Sequence, residues 1–445
     1  MLIEFTVGNF RSFFSSMTLS MVASKLKDGG ALDRDPLIKM EKWDLLRSAG
    51  VFGPNASGKS NLIRALGYMR FFVLKSATGL QHGESTRVQR FALKNEARKQ
   101  PAFFQIVFFD KEGVQYRYGF ELDEKQIHAE WLYRTRKREV RLFLREGQTF
   151  EISSRFSKEE RGLEKLTRPN ALFLSVLAQF NSPLGGRLLQ WFRKNLGVVS
   201  GIDDERYLPF TLRRMSEDRS FHRKIVTLLK LADIGIRDVR IEALKVRDPS
   251  VPEDVQRFFE FLAQQDGKAL DEITLRRAKM SHTVFSETSP VGKVEFDLNE
   301  ESAGTQKFFA LLGPIIDTLE RGSVLAVDEF DARLHPMLTR ELIKLFNSPE
   351  TNPHHAQLIF ATHDVSLLGE RLLRRDQIWF TEKTRFGETE LYSLAEIKER
   401  KDASFLKNYL LGRYGAVPYI GGLRAFVEQE MQDGTKKEVR SAEAA

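Results

Sequence analysis

The strongest constraint on this chain is the octapeptide Gly-Pro-Asn-Ala-Ser-Gly-Lys-Ser at residues 53–60. It follows an apolar, strand-like run at 47–52 and precedes residues 59–74, whose apolar positions recur at helical spacing. A strand that turns through such a loop into a helix wraps backbone N–H groups around a concavity sized for phosphate oxygens, and the helix adds its positive end. Gly53 and Gly58 give the backbone the freedom to wrap, with Pro54, Asn55, Ala56 and Ser57 between them. Lys59 is placed to reach β- and γ-phosphates, Ser60 to offer its hydroxyl to Mg²⁺, and Asn61 is grouped with them as nucleotide-binding.

A second half-site comes from the far end of the chain. The apolar strand at 323–327 ends in Asp328 and Glu329, so two carboxylates stand at a strand's carboxyl end, where parallel sheets bind ligands. Asp328 suits the Mg²⁺ shell, because Mg²⁺ prefers oxygen ligands and keeps waters. Glu329 points elsewhere and can orient and deprotonate an attacking water. A further apolar strand, 357–361, leads to His363, placed where a γ-phosphate sensor belongs. The segment 301–306, Glu-Ser-Ala-Gly-Thr-Gln, opens the apolar helix 302–319 with small residues that expose backbone N–H groups.

Strands alternating with helices across the last third imply a parallel sheet. The first third instead gives alternating or apolar runs at 2–7, 17–22, 103–109, 114–122, 127–133 and 140–144 with turn residues between, the pattern of an antiparallel sheet. Between them, helical spacing at 171–180, 188–195, 221–231 and 255–264 is interrupted by a strand at 236–246, which predicts an inserted, mainly helical subdomain. The expected units are therefore 1–165 with the phosphate loop, 166–290 as the insertion, 291–431 with the acidic pair and His363, and 432–445 as a disordered polar tail.

Composition narrows the chemistry. The chain has 445 residues and no cysteine, which excludes disulfides, thiolate catalysis and Cys-ligated zinc. Its most apolar stretch, 308–316, is too short to cross a bilayer and the amino terminus has no signal-peptide pattern, so no membrane partner and a cytoplasmic location are expected. A net charge of +8 is compatible with nucleic acid. The basic residues Arg134, Arg136, Lys137, Arg138, Arg141 and Arg145 are expected on a strand with one solvated basic face, or against a phosphate backbone.

The order phosphate loop, insertion, Ser302-Ala303-Gly304-Thr305-Gln306, Asp-Glu strand, a following Asp, then His resembles that of ABC-type ATPases. The opening Gly8-Asn9-Phe10-Arg11-Ser12-Phe13 and the aromatic-rich sheet resemble the SMC/RecF-like branch. Tyr409 and the run from Gly412 to Pro418 resemble the small RloA-like ATP-binding proteins of bacterial abortive-infection and anti-phage operons. The resemblance implies an α/β fold: a P-loop ATPase head with a mixed or antiparallel-sheet lobe, a parallel-sheet core and the helical insertion. It implies ATP and Mg²⁺ as cofactors, hydrolysis to ADP and phosphate, and a head-to-tail dimer or assembly of dimers. Ser302, Gly304 and Gln306 would then touch the γ-phosphate held by the other subunit, and Asp331 would lie on the loop that crosses the interface. The family's glutamine linking Mg²⁺ to the insertion is assigned to Gln105. The implied role is a switch controlling an effector nuclease or toxin of the same operon. The alternative is an ATP-dependent, RecF-like DNA clamp in repair or replication.

Overall fold

The computed structural model describes residues 1–25, 36–200, 207–249, 251, 253–266, 274–369, 372–400 and 403–418. Two sheets organise it. One is seven-stranded and antiparallel, in the order Thr149–Ile152, Glu139–Glu146, Ile127–Thr135, Gln115–Leu122, Ala102–Phe109, Leu2–Gly8, Met17–Ser20. Its alternation is the expected one for a sheet with one buried face. Phe104, Ile106 and Phe108 are fully buried in the core shared with Leu62, Leu66, Met69 and Phe72 of the helix Lys59–Lys75.

The second sheet runs Leu196–Ser200, Val324–Asp328, Gln357–Ala361, Ser48–Phe52, Ile378–Lys383, Thr389–Ser393. All neighbours are parallel except the last pair, which is antiparallel. Its three central strands are buried at every residue, which is why they read as unbroken apolar runs. Because they are parallel, their carboxyl ends emerge at one edge, and the strand leading to His363 lies between the phosphate-loop strand and the Asp328 strand.

Several sequence expectations are revised. The helices Phe173–Gln179 and Pro183–Lys194 pack beside the phosphate-loop helix, Trp191 stacking on Phe108 at 3.9 Å. Leu196–Ser200, inside the range expected to be insertion, is an edge strand of the parallel sheet. Beyond it, Leu208–Glu217 and Arg219–Leu231 pack on the helix Ala303–Arg321; Gly313 is required there, since a Cβ would run into Thr211. The insertion also carries a three-stranded antiparallel sheet of Ile236–Lys245, Thr274–Ser286 and Ser289–Asp297. Its middle strand is too polar to announce itself by apolar alternation. The basic stretch does not form a single solvated face either. Arg136, Lys137 and Arg138 sit in the bend between two strands, whereas Arg145 is fully buried and faces Glu130 at 3.6 Å. The tail expected to be disordered lies outside the described residues.

Candidate nucleotide site

The loop after Ser48–Phe52 joins that strand to the helix Lys59–Lys75. Gly53 and Gly58 have φ of 149° and 120°, values closed to other L-residues. A Cβ at Gly53 would collide with Thr381, and one at Gly58 with Thr389. Both threonines belong to the antiparallel hairpin Ile378–Lys383 and Thr389–Ser393 at the sheet edge. Lys59 is 4% exposed, and its Nζ donates to the Gly53 and Pro54 carbonyls at 2.8 and 3.0 Å. Burial lowers its pKa to about 8, while the carboxylates of Asp328, Asp331 and Glu329 pull it back up. Two ends of the sequence thus meet around one ammonium group.

Asp328 ends its strand 9% exposed. Burial raises its carboxyl pKa; a hydrogen bond with Ser60 and the charges of Arg64 and Lys59 oppose that shift. Its Oδ1 is buried and without a hydrogen-bond partner. An orphaned carboxylate oxygen beside a serine hydroxyl fits Mg²⁺, which binds protein through one or two oxygens and takes the rest from phosphate and water. No cluster of three or more His, Cys, Asp or Glu among the described residues offers a self-contained metal cage.

Glu329 follows at φ 52°, a left-handed conformation for a non-glycine residue. Such strain persists only where the surroundings fix it. Here the neighbouring backbone is held by Lys307, 1% exposed, whose Nζ donates to the carbonyls of Glu329 and Phe330, each at 3.1 Å, and of Ala332. The Phe330 N–H donates to Ala361 at 2.9 Å, tying this turn to the strand that leads to His363. Asp331 accepts from the His363 backbone N–H at 3.2 Å. His363 is exposed; burial of part of its ring and the Lys59 cation lower its pKa, against the pull of Asp331, Glu329 and Asp328.

The segment expected as signature forms a helix start. Ser302 caps Ala303–Arg321, its Oγ accepting from Thr305 N–H at 3.2 Å. Ser302 is exposed, and Gly304 lies against the Arg333 carbonyl, which a Cβ would meet. Gln306 turns back, its amide donating to the Glu301 carbonyl at 2.7 Å. The helix start is therefore fixed to the loop that follows Glu329 and presents its serine outward. His335 is a helix cap, its Nδ1 accepting from Met337 N–H at 3.3 Å.

Gln105 is not brought to this site. Its Oε1 accepts from Trp131 Nε1 at 3.1 Å and Arg117 at 3.4 Å. It alternates with Phe104 and Ile106, so it faces away from the phosphate-loop helix. Gln89 lines a cavity of about 670 Å³ with Asp328, Arg11, Arg64 and Arg87. No spacing pattern singles out Gln89. Lys307 did leave a sequence signal, as a lone cation heading the apolar run 308–316.

A family model described as "AAA domain, putative AbiEii toxin, Type IV TA system" matches residues 48–369. Among solved structures, the chain is similar to the SMC head domain from Thermotoga maritima, with 13% identity, a TM-score of 0.39 and coverage of 89% of this chain and 99% of that one. It is also similar to the Smc head domain with an extended coiled coil bound to the C-terminal domain of ScpA derived from Pyrococcus furiosus, with 12% identity, a TM-score of 0.38 and coverage of 93% and 98%. No curated protein matches the chain.

Proposed function

The chain belongs to the AAA domain family whose model spans its residues 48–369, and from that premise we propose that it hydrolyses ATP with Mg²⁺ and uses the bound nucleotide as a switch. The observation that carries the proposal is the convergence of Asp328, Glu329 and His363 on Lys59 at the carboxyl edge of the parallel sheet. The loop 53–60 would hold the phosphates through backbone N–H groups and Lys59. Ser60 and Asp328 would hold Mg²⁺, which when bound neutralises charge on the phosphate oxygens. Glu329 is the carboxylate left to orient and deprotonate water, and His363 is positioned to hydrogen-bond the terminal phosphate.

The exposed Ser302 and the helix start behind it are suited to complete the site of a second copy, giving two nucleotides sandwiched in a two-fold dimer. Dimer closure would then control an effector in defence against phage, and the words "putative AbiEii toxin" in the family description support a toxin over a nuclease. In the test, Glu329→Gln lowers turnover by roughly 10²–10⁴-fold while ATP affinity is kept, and Lys59→Ala loses affinity. Light scattering should find Glu329→Gln shifting to dimers with ATP and Mg²⁺. Wild-type phosphate release by Glu329→Gln would remove the proposed base, and a persistent monomer with ATP bound would remove the composite site.

One observation favours a second reading, direct binding of nucleic acid. Arg11, Arg64 and Arg87 line the cavity beside Asp328, and none hydrogen-bonds a carboxylate among the described residues.

A further inference from the structure

The threonines behind the phosphate loop do more than fill space. Thr389 is fully buried on its strand, and its Oγ1 lies 2.7 Å from the Ser57 carbonyl and 2.8 Å from Ser12 Oγ. Asn61 Nδ2 donates to the same Ser12 Oγ at 2.8 Å. The Thr389 N–H donates to the Ser12 carbonyl at 2.7 Å, which fixes the serine turn against the strand. A hydroxyl has one hydrogen and a carbonyl can only accept, so the direction of the chain is set. Asn61 donates to Ser12, Ser12 to Thr389, and Thr389 to the Ser57 carbonyl. On the other side of the loop, Ser57 Oγ and Thr381 Oγ1 are 2.6 Å apart, and Thr381 Oγ1 is 3.4 Å from the Phe52 carbonyl. All four hydroxyl residues are nearly or fully buried.

The consequence follows from peptide planarity. In a trans peptide the C=O and the following N–H point in opposite directions, and every described peptide here is trans. Holding the Ser57 carbonyl outward onto Thr389 turns the Gly58 N–H the other way, into the concavity of the loop. Gly58 at φ 120° has no side chain to hold it in that orientation, and a peptide flanked by glycine is the one most free to flip.

We propose that Ser12 and Thr389 are positioning residues that fix the orientation of the 57–58 peptide and so keep the Gly58 N–H aimed at phosphate. Neither touches the nucleotide; they act through the loop backbone. The proposal rests on the nucleotide-site reading above. It also explains why residues from the amino-terminal turn and the carboxy-terminal hairpin are packed against one octapeptide.

The test compares Thr389→Val, which keeps the shape and removes the hydroxyl, with Thr389→Ser, which keeps the hydroxyl. An aimed N–H bonds the phosphate in ground and transition states alike, so its loss is a loss of uniform binding. Thr389→Val should raise KM and Kd for MgATP by roughly 10-fold with kcat changed less than about threefold, the scale of one hydrogen bond to a charged group. Thr389→Ser should restore most of the affinity. Ser12→Ala, which removes the donor to Thr389 and leaves the hairpin intact, should give a smaller KM increase of the same kind. It carries the test alone if Thr389→Val does not fold. Wild-type KM in Thr389→Val, or in Ser12→Ala if only that variant folds, would overturn the proposal, as would a Thr389→Ser variant as impaired as Thr389→Val. Lys59→Ala run in parallel separates the two levels. If it loses affinity while the clamp variants do not, only the clamp is wrong. If Lys59→Ala also binds normally, the nucleotide site itself is misplaced and the clamp falls with it.

Discussion

At the scale of single residues, Lys59 links structure to a measurable pH dependence. Its free-state pKa is lowered to about 8 by burial, and bound phosphate charge must raise it. Below that pH the ammonium is protonated with and without ligand, so affinity is flat. Above it the free protein has lost the proton and binding must take one up, so affinity falls as pH rises until the bound-state pKa is reached. The expected decline in ATP affinity between pH 7 and pH 9 is about tenfold, read by calorimetry in buffers of different ionisation enthalpy, which also report the proton uptake. Lys59→Arg should flatten the profile, since a guanidinium stays charged throughout. A profile as steep in Lys59→Arg as in the wild type would assign the titration to another group. Asp328 is the reverse case, a carboxylate whose charge is costly where it sits and whose buried Oδ1 has no hydrogen-bond partner.

Among the structural elements, the helix Ala303–Arg321 and the strand Val324–Asp328 are joined by more than the chain between them. Lys307 reaches from the first turn of that helix to the backbone just beyond the strand. The helix start that presents Ser302 and the turn that carries Glu329 therefore behave as one body. Lys307→Met keeps the length of the side chain and removes its donors. It should destabilise the fold by about 3 kcal/mol, on the scale of charged hydrogen bonds removed from buried carbonyls, and it should lower kcat, because Glu329 loses the support for its left-handed backbone. Urea unfolding with turnover measured on the same samples checks both. Normal kcat in a destabilised variant would show that Lys307 supports stability alone. A Lys307→Met variant with stability and kcat both unchanged would show that Lys307 does not tie the helix start to the Glu329 turn.

For the whole molecule, the arginine-lined cavity beside Asp328 is where the proposed nucleic-acid reading can be tested. Arg64→Glu combined with Arg87→Glu should weaken oligonucleotide binding and reduce the slope of log K against log salt by about 1–2, one for each phosphate that is no longer neutralised. Unchanged binding and slope would remove nucleic acid from this cavity. The phosphate loop, Asp328, Glu329 and His363 were legible because each sits at the end of a buried parallel strand, where an unbroken apolar run stops at a polar or glycine residue. The side of a strand that a residue faces, and what stands behind a loop, are set by pairing between distant segments. Gln105 carried the right residue type in the first lobe, but the register Gln105↔Gly119 and Thr6↔Gln105 turns it to the far face. Ser12 meets Thr389 across 377 residues of chain, and Thr389 meets Ser57 across 332. Isolated hydroxyl residues in polar turns and edge strands leave no periodicity to read. Local pattern marked the strand ends where these residues stand, and long-range sheet pairing decided which side chains hold the loop in place.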